Sequence, residues 1–153
     1  MFKKNKPYQL TELSALQHSI TVIDMTLPGG GLSSVLVLKF SGTYGRGSEG
    51  NADADYIHAI TAGACALEFP DAVVFDLSAL AYEWGERIAS VFDFPLGPGG
   101  AGAGAVRIVS GPKSHKGLVS LKPFYEVAAA GKDILATNLE QALESLAREL
   151  KSK

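Results

Sequence analysis

Apolar and polar positions alternate along the first part of the chain and predict an opening pair of strands. Residues 18–25 alternate around Ile20 and Val22, and residues 34–41 form a second run rich in valine and leucine. Between the two runs, residues 27–31 contain three consecutive glycines, whose backbone freedom favours a turn. The pattern therefore predicts an antiparallel β-hairpin.

After the hairpin, helical patterns alternate with short, continuously apolar runs. A glycine-rich connection over residues 42–50 leads into a helix that begins at Asn51 or Asp53 and ends near residue 69. The residues expected on its inward face are Tyr56, Ile57, Ile60, Ala64 and Leu67. The elements predicted after it are a buried strand over residues 72–77, a helix from residue 83 or 85 to 92, a loop over residues 95–104, a buried strand over residues 105–109, a helical turn over residues 114–121 and a last strand over residues 133–136.

The final helix has the clearest pattern. Thr137 and Glu140 have the spacing of a capping box at its start. The residues that form its inward stripe are Leu139, Ala142, Leu143, Leu146 and Leu150. Helices that alternate with buried strands favour right-handed crossovers and parallel pairing. The expected fold class is therefore α/β, a mixed sheet with an N-terminal hairpin and helices packed on it.

Composition indicates one globular domain, since 46% of the 153 residues are hydrophobic and 20% are charged. We expect this domain to span residues 18–153, after a flexible lead-in over residues 1–17 that has a short helix over residues 11–17. No apolar run is long enough to cross a bilayer, and none follows the first lysines as a signal peptide requires. A single cysteine, Cys65, excludes an internal disulfide. We therefore expect a cytoplasmic protein without a membrane partner.

The order of these elements resembles the STAS domain, the fold of bacterial anti-sigma factor antagonists and of the cytosolic tails of sulfate transporters. The stretches that carry the likeness are residues 35–42, 72–80 and 134–146. The resemblance implies a STAS-like fold that docks another protein. The antagonists have a serine after the central strand as a phosphorylation switch, whereas residues 82–85 here contain none, and no serine or threonine lies between Ser78 and Ser90. The resemblance thus implies a regulator of the bacterial type that lacks this switch.

Charge is distributed unevenly along the chain. Nine acids lie between Glu49 and Asp93, against one base, Arg87. An acidic segment repels the phosphates of nucleic acid and attracts a basic protein, because unlike charges steer encounter. The alternative is that these acids are solvated ends of helices and strands.

The side chains that could support catalysis or bind a metal are scattered. No serine lies in a Gly-x-Ser-x-Gly turn, and Cys65 lies within a helix among alanines, as a small buried thiol does. The histidines, which have no metal-ligand spacing, are His18, His58 and His115. A carboxylate pair such as Asp76 with Glu83 or Glu86 stays open, since the sequence does not place them in one cleft. We therefore predict a non-enzymatic protein that uses no cofactor and no metal.

Two stretches fit the pattern Gly-x-Gly-x-x-Gly. Gly45, Gly47 and Gly50 stand after a strand and before a helix, the order in which backbone N–H groups can bind an anion. Glu49 and the acids that follow oppose a phosphate there. The second set stands after a helix and before a strand, the reverse order: Gly97, Gly99 and Gly102.

The segment after the central strand contains the only tryptophan and is the predicted partner-binding site. Its predicted contact residues are Tyr82, Glu83, Trp84, Glu86 and Arg87. Tryptophan, tyrosine and arginine often dominate binding at protein interfaces, and the carboxyl ends of strands in α/β sheets are where ligands usually dock. The alternative is that Tyr82 and Trp84 close the core.

These observations favour a non-catalytic, cytosolic protein-binding module. Its acidic face would dock a basic partner protein, either as an immunity-type neutraliser or as a regulatory antagonist. The alternative is a domain that binds a small molecule or a nucleotide phosphate through the glycine-rich loops. The sequence does not determine the oligomeric state.

Overall fold

A computed structural model describes residues 8–97, 103–126 and 132–151. The chain forms one five-stranded sheet with helices on both faces, and the strand order is the chain order, β1-β2-β3-β4-β5. The elements are β1 (Gln17–Thr26), β2 (Leu32–Thr43), α1 (Asn51–Glu68), β3 (Ala72–Ala81), α2 (Ile88–Asp93), β4 (Ala105–Val109), α3 (His115–Tyr125), β5 (Leu135–Ala136) and α4 (Leu139–Lys151). The predicted α/β class, with a mixed sheet and an N-terminal hairpin, is confirmed.

Within the described ranges, the hairpin is the only antiparallel part of the sheet. β1 pairs with β2 from Gln17 opposite Ser41 to Thr26 opposite Leu32, and the other pairs are parallel. A β-bulge interrupts the pairing of β2 with β3 between Lys39 and Ser41. Since β2, β3 and β4 run parallel, their carboxyl ends and the loops that follow them meet at one end of the sheet.

Alternate side chains of the central strands enter two separate cores. On one face, Leu36, Leu38 and Phe75 pack with α1, α2 and α3 in the larger core. On the other face, Val35 and Val74 pack with α4 in the smaller core. This alternation makes a three-layer domain in which the central strands are buried on both faces, and it explains their continuous apolar sequences.

The first helix turns the predicted face to the sheet except near its C-terminal end. Tyr56, Ile57 and Ala64 are buried as expected, but Leu67 is 81% exposed and Thr61 is fully buried. The Thr61 hydroxyl donates a hydrogen bond to the carbonyl of Ile57 at 2.7 Å. A threonine whose hydroxyl bonds to a carbonyl of its own helix can be buried without a hydrogen-bond partner elsewhere in the protein. The prediction counted apolar residues alone and therefore left Thr61 out of the buried face.

Several element bounds also differ from the predicted ones. β3 continues to Ala81, four residues past the predicted end, because its last residues still pair with β2. The predicted helix over residues 11–17 is only a 3-10 turn at Leu10–Glu12, and Leu16 is buried beside Gly42. The predicted strand over residues 133–136 is shorter, since the carboxylate of Asp133 accepts from the N–H of Leu135 and forms a turn there.

The start of α4 is capped one residue later than predicted. The side-chain oxygen of Asn138 accepts from the N–H of Gln141 at 2.8 Å, and the side-chain oxygen of Gln141 accepts from the N–H of Thr137 at 2.8 Å. The first bond is that of a capping box, and the second reaches Thr137, one residue before the position that a capping box uses. The predicted inward stripe of α4 is confirmed, since all its residues lie in the smaller core.

Candidate functional site

Three loops meet at the carboxyl ends of the parallel strands. They are residues 44–50 after β2, residues 82–87 after β3 and residues 110–114 after β4. Backbone hydrogen bonds join them, because the N–H of Tyr82 donates to the carbonyl of Lys113 at 3.0 Å and the N–H of Gly47 donates to the carbonyl of Trp84 at 3.1 Å. The extension of β3 therefore places residues 82–87 between the other two loops.

Tyr82 supports this surface from beneath. Its side chain is 2% exposed, and its hydroxyl donates to the carbonyl of Gly85 at 2.6 Å. Burial, with a smaller contribution from the carboxylate of Glu86, raises the pKa of Tyr82 to about 12. Gly85 has a φ of 139°, a conformation that favours glycine. Tyr82 thus holds the turn in place and is not itself accessible to a partner.

Trp84 lies on the outside of the same turn, with 59% of its surface exposed. Its indole ring covers Gly47, where a Cβ atom would lie 2.7 Å from the ring carbon Cζ3. Gly47 itself has a φ of 56°. The ring therefore packs directly on the backbone of Gly47. Both the ring and the backbone carbonyl of Trp84 contact the loop after β2. Trp84 is an exposed but positioned aromatic side chain.

The glycines of the loop over residues 44–50 are required by packing. A Cβ atom on Gly50 would overlap the ring of Tyr44 and lie 2.5 Å from the carbonyl oxygen of Gly45. The N–H of Gly45 donates to the carboxylate of Asp53 at 2.7 Å, and that carboxylate also accepts from the hydroxyl of Ser14 at 2.6 Å. An internal carboxylate already occupies the position where the predicted anion would bind.

Charged side chains of opposite sign alternate over this surface. Arg46 and Glu83 form an ion pair at 2.9 Å, and Arg87 pairs with Asp55 at 2.9 Å. Glu86 is exposed, and no described residue bonds to its carboxylate. Exposed pairs of this kind contribute little to stability because water screens them. Their charges remain accessible to a partner.

The other acids of the predicted acidic segment have different surroundings. Asp71 accepts from the N–H of Ser34 at the opposite end of the sheet, and Asp76 accepts from both the N–H and the hydroxyl of Ser78. Asp93 is partly buried, and this burial raises its pKa. The acids are therefore spread over the molecule, and Glu83 and Glu86 are two that reach the Trp84 surface.

A groove of about 490 Å³ runs between Trp84 and the start of α3. Glu83 lies on one side, and Lys113, Lys116 and Ser120 lie on the other. α3 approaches closely because residue 117 is glycine, whose Cβ would lie 2.6 Å from the carbonyl oxygen of Glu83. Sequence reasoning missed this basic side of the site. The feature of the sequence that could have indicated it is Gly117, which allows α3 to pack closely against the loop after β3. The helical pattern of the segment around Gly117 is weak.

Residues with potential chemistry are dispersed in the part of the chain that the structure describes. His18 bonds to the hydroxyl of Tyr56 at 2.5 Å, His115 bonds to the hydroxyl of Ser110 at 2.8 Å, and the ring of His58 packs at a tilt against Phe94. No three histidine, cysteine or carboxylate side chains there are arranged to hold a metal ion. Gly99 and Gly102 of the second glycine pattern lie outside the described residues.

No family model matches the chain, and no curated protein matches it. The chain is similar to a solved anti-sigma factor antagonist from Mycobacterium paratuberculosis, with 23% identity over 83% of this chain and 93% of that chain and a TM-score of 0.43. Among the described residues, none of the helices combines the length and the apolar character that crossing a membrane requires. The site is thus defined by its own geometry, a positioned Trp84 between acidic and basic side chains.

Proposed function

We propose that this chain is a non-catalytic protein-binding module whose contact surface is centred on Trp84. The observation that carries the proposal is that the single tryptophan is 59% exposed and yet fixed on the backbone of Gly47. Exposing an indole to water costs free energy, and a partner that covers it recovers that free energy. Large aromatic side chains that are held in place dominate protein interfaces, because little side-chain entropy is lost on binding.

The loops beneath Trp84 make the surface rigid before a partner arrives. The buried Tyr82 hydroxyl holds Gly85, and the carboxylate of Asp53 holds Gly45. Binding then orders few groups, so less of the interaction energy is lost to entropy. Such a surface suits a partner that binds through a pocket for one aromatic side chain.

Charge sets the chemistry of that partner. The loops after β2 and β3, with residues 51–55 of α1, contain five acids against two arginines, Arg46 and Arg87. We propose a basic protein as the partner, with its cations facing Glu83 and Glu86. Opposite charge at the rim speeds association and depends on salt. Blocking a basic protein in this way is the action of an immunity-type neutraliser or a regulatory antagonist.

Replacement of Trp84 tests the contact surface. The tagged protein captures its partner from the native host, and the affinity for the purified partner is then measured by calorimetry. Trp84→Ala is expected to weaken binding at least about 30-fold, the loss of a hot-spot side chain. Phe124→Ala, an aromatic residue of α3 that is 49% exposed, is the matched control and should bind normally. Equal loss in both variants, or in neither, would contradict the proposal.

Charge reversal tests the basic partner separately. Glu86→Lys should weaken the complex, most strongly at low salt, and Lys116→Glu should strengthen it. Glu144→Lys is the control, because it makes the same change on an exposed residue of α4 on the other side of the sheet. The opposite ranking of Glu86→Lys and Lys116→Glu would show an acidic partner at the same surface.

A further inference from the structure

β1 is an edge strand with a long, uncovered edge. Among the residues that the structure describes, it pairs only with β2, and none of its ten residues is buried. Its length corresponds to about 34 Å of unpaired backbone donors and acceptors. The opposite edge differs, because β5 has only two paired residues. β1 is thus the edge of the sheet where another strand can be added.

The side chains of β1 do not protect this edge. Proteins usually block an edge strand with lysine, proline, a bulge or a covering element. β1 contains no lysine, arginine, proline or glycine, and its pairing with β2 has no bulge. Ile20 is 46% exposed and Val22 is 40% exposed, both on the face of the strand that carries His18 and Asp24. The edge therefore presents apolar surface together with free backbone groups.

We propose that two copies of this chain pair through β1 in an antiparallel, two-fold symmetric dimer. A two-fold axis perpendicular to the sheet keeps the α1 faces of both copies on the same side of the extended sheet. Residues that lie opposite each other in the two copies of β1 must therefore point to the same face of that sheet. The register centred on Thr21 places Ile20 opposite Val22 and His18 opposite Asp24. Each of these pairs occurs twice.

This register is favoured over its neighbours by the chemistry of the pairs. Opposed aliphatic side chains stabilise antiparallel strands, and so do opposed polar side chains that can hydrogen-bond to each other. A register centred on Val22 would place Ile20 opposite the carboxylate of Asp24. A register centred on Ile20 would place His18 opposite Val22 and would leave Asp24 without a polar partner. Of these three registers, the Thr21 register pairs the aliphatic side chains with each other and the imidazole of His18 with the carboxylate of Asp24, so the strand is complementary to itself.

The dimer leaves the Trp84 surface free. Antiparallel pairing of β1 makes the two copies of β2 run in opposite directions, so the carboxyl ends of the parallel strands point away from each other. The assembly is a continuous ten-stranded sheet with one Trp84 surface at each end. It binds two partner molecules, and its formation does not depend on the function proposed above.

Mass measurements over a concentration range test the dimer. Sedimentation velocity of the full chain from about 1 μM to about 1 mM should show a monomer that becomes a dimer. Val22→Lys should raise the dimer dissociation constant at least about tenfold, because both Ile20–Val22 pairs are lost. Val119→Lys, which changes a valine of α3 that is 41% exposed, should behave like the wild type. Circular dichroism checks that each variant is folded.

Cross-linking tests the register. Thr21→Cys places two thiols opposite each other at about 5 Å, within reach of a bifunctional thiol reagent that spans about 8 Å. Ser19→Cys lies on the same face of β1, but its two copies would be about 14 Å apart, beyond that reach. Cys65 is buried in both variants. The proposal predicts a cross-linked dimer from Thr21→Cys alone. A wild type that stays monomeric, a Val22→Lys variant that dimerises normally, or equal cross-linking from Ser19→Cys would overturn it.

Discussion

The indole ring of Trp84 occupies the space into which a side chain of residue 47 would project. A Cβ atom on Gly47 would lie 2.7 Å from the ring carbon Cζ3, and the N–H of Gly47 donates to the carbonyl of Trp84 at 3.1 Å. Gly47 thus contacts both the backbone and the ring of Trp84. The glycine pattern and the tryptophan segment, which are 37 residues apart in the chain, are two parts of one site.

Gly47→Ala is expected to displace the ring of Trp84. The new methyl group overlaps the indole, which can swing outward, and the φ of 56° costs an alanine about 1 kcal/mol. Fluorescence emission of the single tryptophan should shift to longer wavelength as the ring becomes more solvated. Unchanged emission would show that Trp84 does not rest on Gly47 in solution.

Gly50→Ala should destabilise the fold more than Gly47→Ala does. Its Cβ would overlap the buried ring of Tyr44 and the backbone oxygen of Gly45, and backbone cannot give way as an exposed ring can. We expect a loss of about 3 kcal/mol in the free energy of unfolding, measured in urea. Gly63→Ala is the control, since nothing lies near its Cβ in the middle of α1, and it should gain about 0.5 kcal/mol. A loss of similar size in both variants would contradict the packing argument.

Two buried tyrosines should respond differently to the loss of their hydroxyl groups. Tyr82→Phe removes the bond to the Gly85 carbonyl and should cost about 1–2 kcal/mol, because that oxygen stays buried. The hydroxyl of Tyr44 is buried without a hydrogen-bond partner among the described residues, so Tyr44→Phe should be neutral or stabilising. Urea denaturation of the two variants side by side gives the ranking, and the reverse order would refute it.

The ion pair between β4 and α4 should be among the most important polar contacts for stability. Arg107 and Glu149 pair at 3.1 Å, and both side chains are almost buried. Arg107→Met removes the buried cation that pairs with the Glu149 carboxylate and should cost roughly 3 kcal/mol. Arg87→Met breaks the exposed pair with Asp55 and should cost less than about 1 kcal/mol. Similar thermal stability of the two variants would contradict this prediction.

Asp93 should make stability depend on pH in a defined direction. Burial raises its pKa above the ordinary value of 3.8, so the folded protein holds this proton more tightly than the unfolded chain does. The protonated carboxyl group of Asp93 stabilises the folded state relative to the charged one. This contribution to the free energy of unfolding is fully present below the ordinary pKa and is lost as pH rises through the raised pKa of the folded state. Asp93→Asn should therefore be more stable than the wild type at pH 7, and this gain should shrink as pH falls toward 4. A gain that grows on acidification would have the wrong sign.

The sequence predicted the layers of the fold because those depend on local periodicity. Continuous apolar runs marked the strands that are buried on both faces, and the stripe of α4 marked its inward side. The prediction for α1 was wrong at Leu67, which is exposed, and it did not include Thr61, which is buried with its hydroxyl bonded within the helix. Periodicity counts apolar residues, whereas burial also depends on whether a polar group finds a partner.

The residue pattern was enough to predict the fold class and the place of the single tryptophan after the central strand. It did not predict the surroundings of that tryptophan, which are the backbone of Gly47, the buried side chain of Tyr82 and the basic side formed by Lys113 and Lys116. The difference lies in the sequence separation of the contacts. Strand and helix patterns arise from neighbours along the chain, but the site is assembled from three loops that meet only after parallel strands pair. Which backbone groups remain free there depends on hydrogen bonds between distant residues.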